Sequence, residues 1–74
     1  MPPNRLFLRV GDPVVHLNFP LWGTGMVVEE RTSTNSGGFC MVRIQFDDGI
    51  ERAFINDLND YSCCYYAGVR LQKE

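Results

Sequence analysis

The chain has 74 residues, with seven Lys+Arg against nine Asp+Glu and a formal net charge of −2. A hydrophobic share of 45% and a charged share of 22% are ordinary globular usage, which excludes general disorder. The acid excess argues against a protein devoted to gripping nucleic-acid phosphates. No apolar run approaches the roughly 20 residues of a spanning helix. Residues 1–5, Met1-Pro2-Pro3-Asn4-Arg5, lack the apolar segment of a secretory signal. Three cysteines, Cys40, Cys63 and Cys64, are an odd count that supplies no disulfide framework and fits reduced thiols. We therefore expect one small cytoplasmic domain.

In chain order the signals are short, period-two and punctuated by Gly and Pro, as in an all-β domain. Pro2-Pro3-Asn4 reads as a frayed end, and residues 6–10 as an extended outer strand or flap, giving an N-terminal extension over residues 1–10 and the folded domain over residues 11–74. Gly11-Asp12-Pro13 is a turn, residues 14–17 a first strand and residues 18–23 a loop with Trp22 at its tip. Residues 25–30 make a second strand, and residues 32–38, which carry no apolar side chain, a mobile loop. From residue 39 to 46, Cys40, Val42, Ile44 and Phe46 alternate with Met41, Arg43 and Gln45, so the third strand has one face in the core and one in water.

Asp47-Asp48-Gly49 turns this strand into a fourth over residues 50–55. A two-residue Asp48-Gly49 loop would pair Ile44 with Ala53 and Val42 with Ile55. A three-residue loop with a bulge at Gly49 would pair Phe46 with Ile50 and Val42 with Phe54, and would bring Arg52 to the core face, a costly place for an unpaired charge. The two-residue loop is therefore expected, with Phe54 on the outer face. Beyond it, residues 56–60 suit a tight or 3₁₀ turn with Leu58 reaching the core. Residues 61–68 show no clean period, and residues 69–71 are a short closing strand. The expected interior is Val14, Val27, Val42, Ile44, Phe46, Ala53, Ile55 and Leu58. About five strongly bent antiparallel strands suggest a small barrel, because closure removes exposed edges.

An ordered series of residues carries a resemblance. It runs Gly11-Asp12-Pro13-Val14-Val15-His16, then Phe19, then Gly23-Thr24-Gly25-Met26-Val27, then Val42-Arg43-Ile44-Gln45-Phe46-Asp47-Asp48-Gly49-Ile50. This resembles the Tudor-like carboxy-terminal domain of UvrD/PcrA-type helicases and, more distantly, the RNA-polymerase-interacting domains of CarD and of transcription-repair coupling factor. The match covers about residues 10–58. It implies an SH3-like or Tudor-like barrel that binds a protein, with RNA polymerase through its β subunit or a DNA-repair or transcription protein as partner. By the same resemblance, an exposed strand edge and neighbouring apolar residues meet that partner, which here implicates the hairpin over residues 43–54 and the loop over residues 19–22. No helicase motor and no phosphate-cradling Gly-Lys-Ser/Thr loop accompanies the motif. Residues 61–68 look like an insertion relative to that family.

The chemistry-bearing residues each have a plain alternative. His16 lacks a second histidine or a nucleophile and reads as structural, as in the resembled strand motif. Cys40, Cys63, Cys64 and His16 could form a Cys₃His zinc set, yet no Cys-x₂-Cys knuckle is present and buried thiols are the simpler reading. Trp22, Tyr61, Tyr65 and Tyr66 fit a docking patch, a cage for a methylated cation, or caps on a thin core. Arg43 and Arg52, as neighbours on the outer face, would offer a basic-aromatic stripe for single-stranded nucleic acid. Asp47-Asp48 is better explained by the turn than by acid–base work.

The resulting expectation is a non-enzymatic protein-interaction module without cofactor or metal. Its partner surface is expected to include Phe19, Trp22, Arg43, Arg52, Phe54, Tyr65 and Tyr66. A nucleic-acid-binding barrel is the alternative, and no membrane role is expected.

Overall fold

A computed structural model describes residues 5–32 and 40–72. Its five antiparallel strands are β1 (Pro13–His16), β2 (Gly25–Thr32), β3 (Cys40–Phe46), β4 (Glu51–Ile55) and β5 (Val69–Leu71), joined in one sheet in the order β4-β3-β2-β1-β5. A 3₁₀ turn at Pro20–Trp22 follows β1, and a single helical turn, α1 (Cys64–Ala67), precedes β5. The fold is all-β, as expected, and each strand lies within two residues of its predicted limits. Among the described residues no ladder joins β4 to β5. The expected frayed end at residues 2–4 and loop at residues 33–38 lie outside the described residues.

The alternation in β3 is reproduced residue by residue. Cys40, Val42, Ile44 and Phe46 are buried, while Arg43 and Gln45 are exposed. Val14, Val27 and Val69 join them from the neighbouring strands, and each large aliphatic contributes about 1.5–3 kcal/mol on burial. Gly25 lies where β2 passes closest to this layer. A Cβ there would come within 2.6 Å of Ile44 and 2.9 Å of Phe46, so a larger residue has no room. The β2–β3 register shifts between Val27 and Glu29. This bulge puts Glu29 opposite Arg43 on the outer face and turns Glu30 inward, where its carboxylate accepts the Val10 N–H.

The β3–β4 hairpin departs from the expected register. Val42 pairs with Phe54 and Ile44 with Arg52, while the Phe46 N–H donates to the Ile50 carbonyl. The connection is therefore the three-residue loop Asp47-Asp48-Gly49, with Gly49 at φ +86° supplying the bulge that other residues rarely adopt. Ala53 is consequently exposed and Ile55 half-buried, and Phe54 packs inward beside the core. The cost assigned to an inward Arg52 is removed by its surroundings. Its guanidinium lies 3.6 Å over the Trp22 ring and 2.9 Å from the Asp48 carboxylate.

Two segments contribute core that hydrophobic periodicity does not reveal. Residues 6–10 form no strand of the five-stranded sheet. Leu6 makes one bridge to Asp57, and Leu8 is fully buried. Asn56 anchors this segment: its side chain accepts the Leu8 N–H at 2.8 Å and donates to the Leu8 carbonyl at 2.9 Å. Farther along, the chain turns at Asp60, whose carboxylate accepts the Ser62 N–H, and α1 ends where the Gly68 N–H reaches the Cys64 and Tyr65 carbonyls. This turn drives Cys63 and Cys64 into the core, while Leu58 packs against it as expected.

Candidate functional site

The seven expected partner-surface residues fall into three places. Phe19, Trp22, Arg52 and Phe54 come together, Tyr65 and Tyr66 sit on α1, and Arg43 stands on the outer sheet face. Arg43 and Arg52 thus lie on opposite faces, because residues one apart along a ladder alternate, and the expected basic stripe does not form.

The first group is built by the loop after β1. The Phe19 N–H donates to the His16 carbonyl, the Trp22 N–H to the Phe19 carbonyl and the Gly23 N–H to the Pro20 carbonyl. These bonds fold the loop so that the Phe19 and Trp22 rings stack at 4.4 Å, with an interplanar angle of 5°. Trp22 meets Phe46 edge-on at 5.1 Å, and His16 meets Phe19 and Trp22 at 4.8 and 5.1 Å. Trp22 is therefore a half-buried roof on the core rather than an exposed tip. The tip is Leu21, 95% exposed, flanked by Leu17 at 59% and Phe19 at 48%. The alternation of Leu17, Phe19 and Leu21 was the available signal for this apolar rim.

His16 is buried, and its Nδ1 accepts the Asn18 N–H at 3.2 Å. Burial, and secondarily the Arg52 charge, lower its pKa below the ordinary 6.5. It belongs to the packing of this group, in keeping with its expected structural role. Beside it, Val15, His16, Leu17, Pro20, Gly23, Thr24 and Asp47 line an open depression of about 380 Å³. Among the described residues no three His, Cys, Asp or Glu side chains gather as a metal-ligand set. Burial, and then the adjacent Cys63 thiol, push the Cys64 thiol up to about 12, which keeps it protonated and unreactive at neutral pH.

The second group is the face of α1. Tyr65 meets Phe7 edge-on at 5.3 Å and Tyr66 at 5.4 Å, and Arg70 lies 4.0 Å over the Tyr65 ring. The Tyr66 hydroxyl donates to the Leu58 carbonyl at 2.8 Å, and Tyr61 is almost fully exposed. The Arg70 guanidinium thus already occupies one face of Tyr65.

The third place is the outer face of β2, β3 and β4. Arg43 bridges Glu29 at 2.9 Å and Glu51 at 3.7 Å, and Glu29 also accepts from Arg31 at 3.0 Å. The hydrogen bond from Arg31, then the charge of Arg43, hold the Glu29 carboxyl below its ordinary range. Glu29, Arg31, Met41, Val42, Arg43 and Ala53 line a shallow depression of about 170 Å³. It borders the edge of the sheet at β4. The Phe46 N–H to Ile50 and Asn56 N–H to Cys40 bonds fix which residues exchange ladder bonds. Phe54 and Arg52 therefore direct their backbone toward β3, and Glu51, Ala53 and Ile55 direct theirs away from it. Among the described residues β4 has no second ladder partner.

The described residues contain no helix long and apolar enough to cross a membrane. Compared with protein-family models, with curated proteins and with solved structures, the chain matches none.

Proposed function

We propose that the chain is a non-enzymatic protein-interaction module that captures an extended segment of its partner along the edge of β4. The observation that carries this reading is the outward row of backbone groups at Glu51, Ala53 and Ile55, beside a depression whose lining includes the apolar side chains of Met41 and Ala53. Strand addition supplies main-chain hydrogen bonds, and such a depression selects an alternate side chain of the added strand. The ionisable side chains support a binding role: Glu29, Glu51 and Asp48 are spent in ion pairs on the sheet surface. By the resemblance of residues 10–58, the partner is RNA polymerase, through its β subunit, or another transcription or DNA-repair protein in the cytoplasm.

Trp22 and Phe54 pack against the core, so their truncation would unsettle the fold and cannot test the surface. Ala53→Pro is the direct test, since proline is tolerated on an edge strand whose N–H faces away from its neighbour, and it removes one outward donor. Ala53→Lys is the companion variant, which places a charge in the depression. Both should retain the circular dichroism spectrum and lose capture of purified RNA polymerase by at least about tenfold, or 1.4 kcal/mol. Undiminished capture by both variants refutes the edge. Binding of a single-stranded oligonucleotide that falls steeply with salt and depends on Arg43 would favour the nucleic-acid alternative instead.

A further inference from the structure

A second surface, away from the edge of β4, has a chemistry of its own. The depression beside the loop after β1 has an apolar rim of Val15, Leu17 and Pro20, and Asp47 stands in its wall. Its volume, about 380 Å³, is at the low end for ligand sites and suits one long side chain. Asp47 differs from its neighbours in charge balance. Asp48 is held by Arg52, and Glu29 and Glu51 by Arg43, whereas among the described residues Asp47 belongs to no ion pair. Among the described residues its carboxylate accepts one hydrogen bond, from the Thr24 N–H at 3.1 Å to Oδ2. His16, the other titratable group of the lining, is neutral at pH 7 because burial disfavours its charged form. The depression therefore presents a single net negative charge above an apolar rim.

The walls are also tied to each other. The Asp47 N–H donates to the Thr24 carbonyl at 2.9 Å, the Asp48 N–H to the Trp22 carbonyl at 3.3 Å and the Gly23 N–H to the Pro20 carbonyl at 3.1 Å. Such cross-bonding fixes the distance from rim to carboxylate before any partner arrives, which lowers the ordering cost of binding. Leu17 and Leu21 stay exposed on a loop held this firmly, and clustered exposed apolar residues beside a preformed depression are a mark of recognition.

We propose that this depression receives the side chain of an arginine or lysine carried on an apolar segment of a protein partner. The aliphatic stem would lie along Leu17 and Pro20, the cation would meet Asp47, and flanking apolar residues would cover Leu17 and Leu21. This inference rests on reading the chain as an interaction module, but it concerns a surface other than the edge of β4.

The test is an amide-shift NMR titration of the full chain with two blocked tripeptides, acetyl-Leu-Arg-Leu-amide and acetyl-Leu-Glu-Leu-amide. The arginine peptide should shift the amides of Leu17, Gly23, Thr24 and Asp47 saturably, and the glutamate peptide should bind at least about tenfold more weakly, or 1.4 kcal/mol. Asp47→Asn keeps an oxygen for the Thr24 N–H and should lower the arginine-peptide affinity by a similar factor, with amide positions elsewhere unchanged. Leu17→Ser should weaken both peptides. Equal responses to the two peptides, shifts confined to other surfaces, no saturable shift, or an Asp47→Asn variant that binds as well as the parent would each overturn the site. Ala53→Pro should leave the titration unaltered, so loss of the β4 edge reading and loss of this one are separately visible.

Discussion

Among the described residues two arginines lie over aromatic rings, and their settings differ in kind. Arg52 sits 3.6 Å over Trp22, is gripped by Asp48, and closes a group of rings that continues through Phe46 into the core. Arg70 sits 4.0 Å over Tyr65 and donates to the Tyr65 and Val69 carbonyls, above rings that remain largely at the surface. In the first setting the guanidinium seals an interior that a carboxylate has made habitable for charge. In the second it covers one face of a ring that stays 37% exposed. The same pairing of residue types thus supports the fold at one end and dresses a surface at the other.

The largest way to break this contrast is truncation of the rings themselves. Trp22→Ala should cost about 3–5 kcal/mol, the range for removing a large core aromatic. A chain of this length is stable by only about 4–11 kcal/mol, so the variant should be near the unfolding threshold. Tyr65→Ala should cost about 1 kcal/mol, since less of its surface is withdrawn from water. Urea denaturation of the two variants measures the difference, and equal losses would erase the distinction between the groups. Next in size is Arg52→Ala, expected to cost about 1–2 kcal/mol through the lost ring contact, with Trp22 fluorescence shifting as the roof opens. Arg70→Ala should cost less than 1 kcal/mol and leave Trp22 fluorescence alone.

The same arginine explains where the sequence could and could not be read. The β3 alternation, the five strands and the Gly-Asp turns are legible because each depends on neighbours in the chain. The hairpin register depends on whether an inward Arg52 can be accommodated. That is decided by Trp22, 30 positions earlier, and by Asp48 in the turn. Phe54 and Ala53 exchange faces as a consequence, and with them one proposed contact moves inside while another surface is opened. Leu8 was equally invisible as core, since a buried asparagine positions it rather than any periodic pattern, whereas Cys63 and Cys64, expected as buried thiols, are placed in the core by a single helical turn that no period announced. Of the candidate sites, the sequence indicated the loop after β1 through its aromatics. Asp47 looked like turn chemistry alone, because the lack of a cation beside it is a property of the fold.

A smaller effect separates the groups by pH, since only the first contains a histidine. The folded pKa of His16 lies below 6.5, chiefly because burial penalises the imidazolium. Above 6.5 neither the folded nor the unfolded chain carries this charge, and the full stability is present. As the pH falls through 6.5 toward the lowered folded value, the unfolded state takes up the proton first, and stability declines. Below the folded value the decline from this residue stops. Protonation would also set an N–H at Nδ1 against the Asn18 N–H that it now accepts. Asp48 and Glu29 shift in the same direction. Their contributions are present above ordinary values of 3.8 and 4.5 and are lost at still lower pH, so the windows are distinct. His16→Gln, which retains an acceptor, should flatten the stability profile just below 6.5 while leaving the acid limb in place. A parent profile flat through that window would show that imidazole protonation is not resisted there.

The smallest expected effect is at Tyr66. Its hydroxyl donates to the Leu58 carbonyl at 2.8 Å, but the side chain is exposed and water can replace the bond. Tyr66→Phe should therefore cost about 0.5 kcal/mol, at the lower limit for a neutral hydrogen bond. The Leu58 N–H meanwhile donates to the Arg5 carbonyl, so the same backbone turn also holds the N-terminal segment. If Tyr66→Phe costs several times the expected amount in thermal denaturation, the hydroxyl is stiffening that turn and, through it, the segment that buries Leu8. The α1 face would then belong to the fold as much as the Trp22 group does. A loss within the expected range leaves Tyr65 and Tyr66 as surface residues whose conformation the core does not depend on.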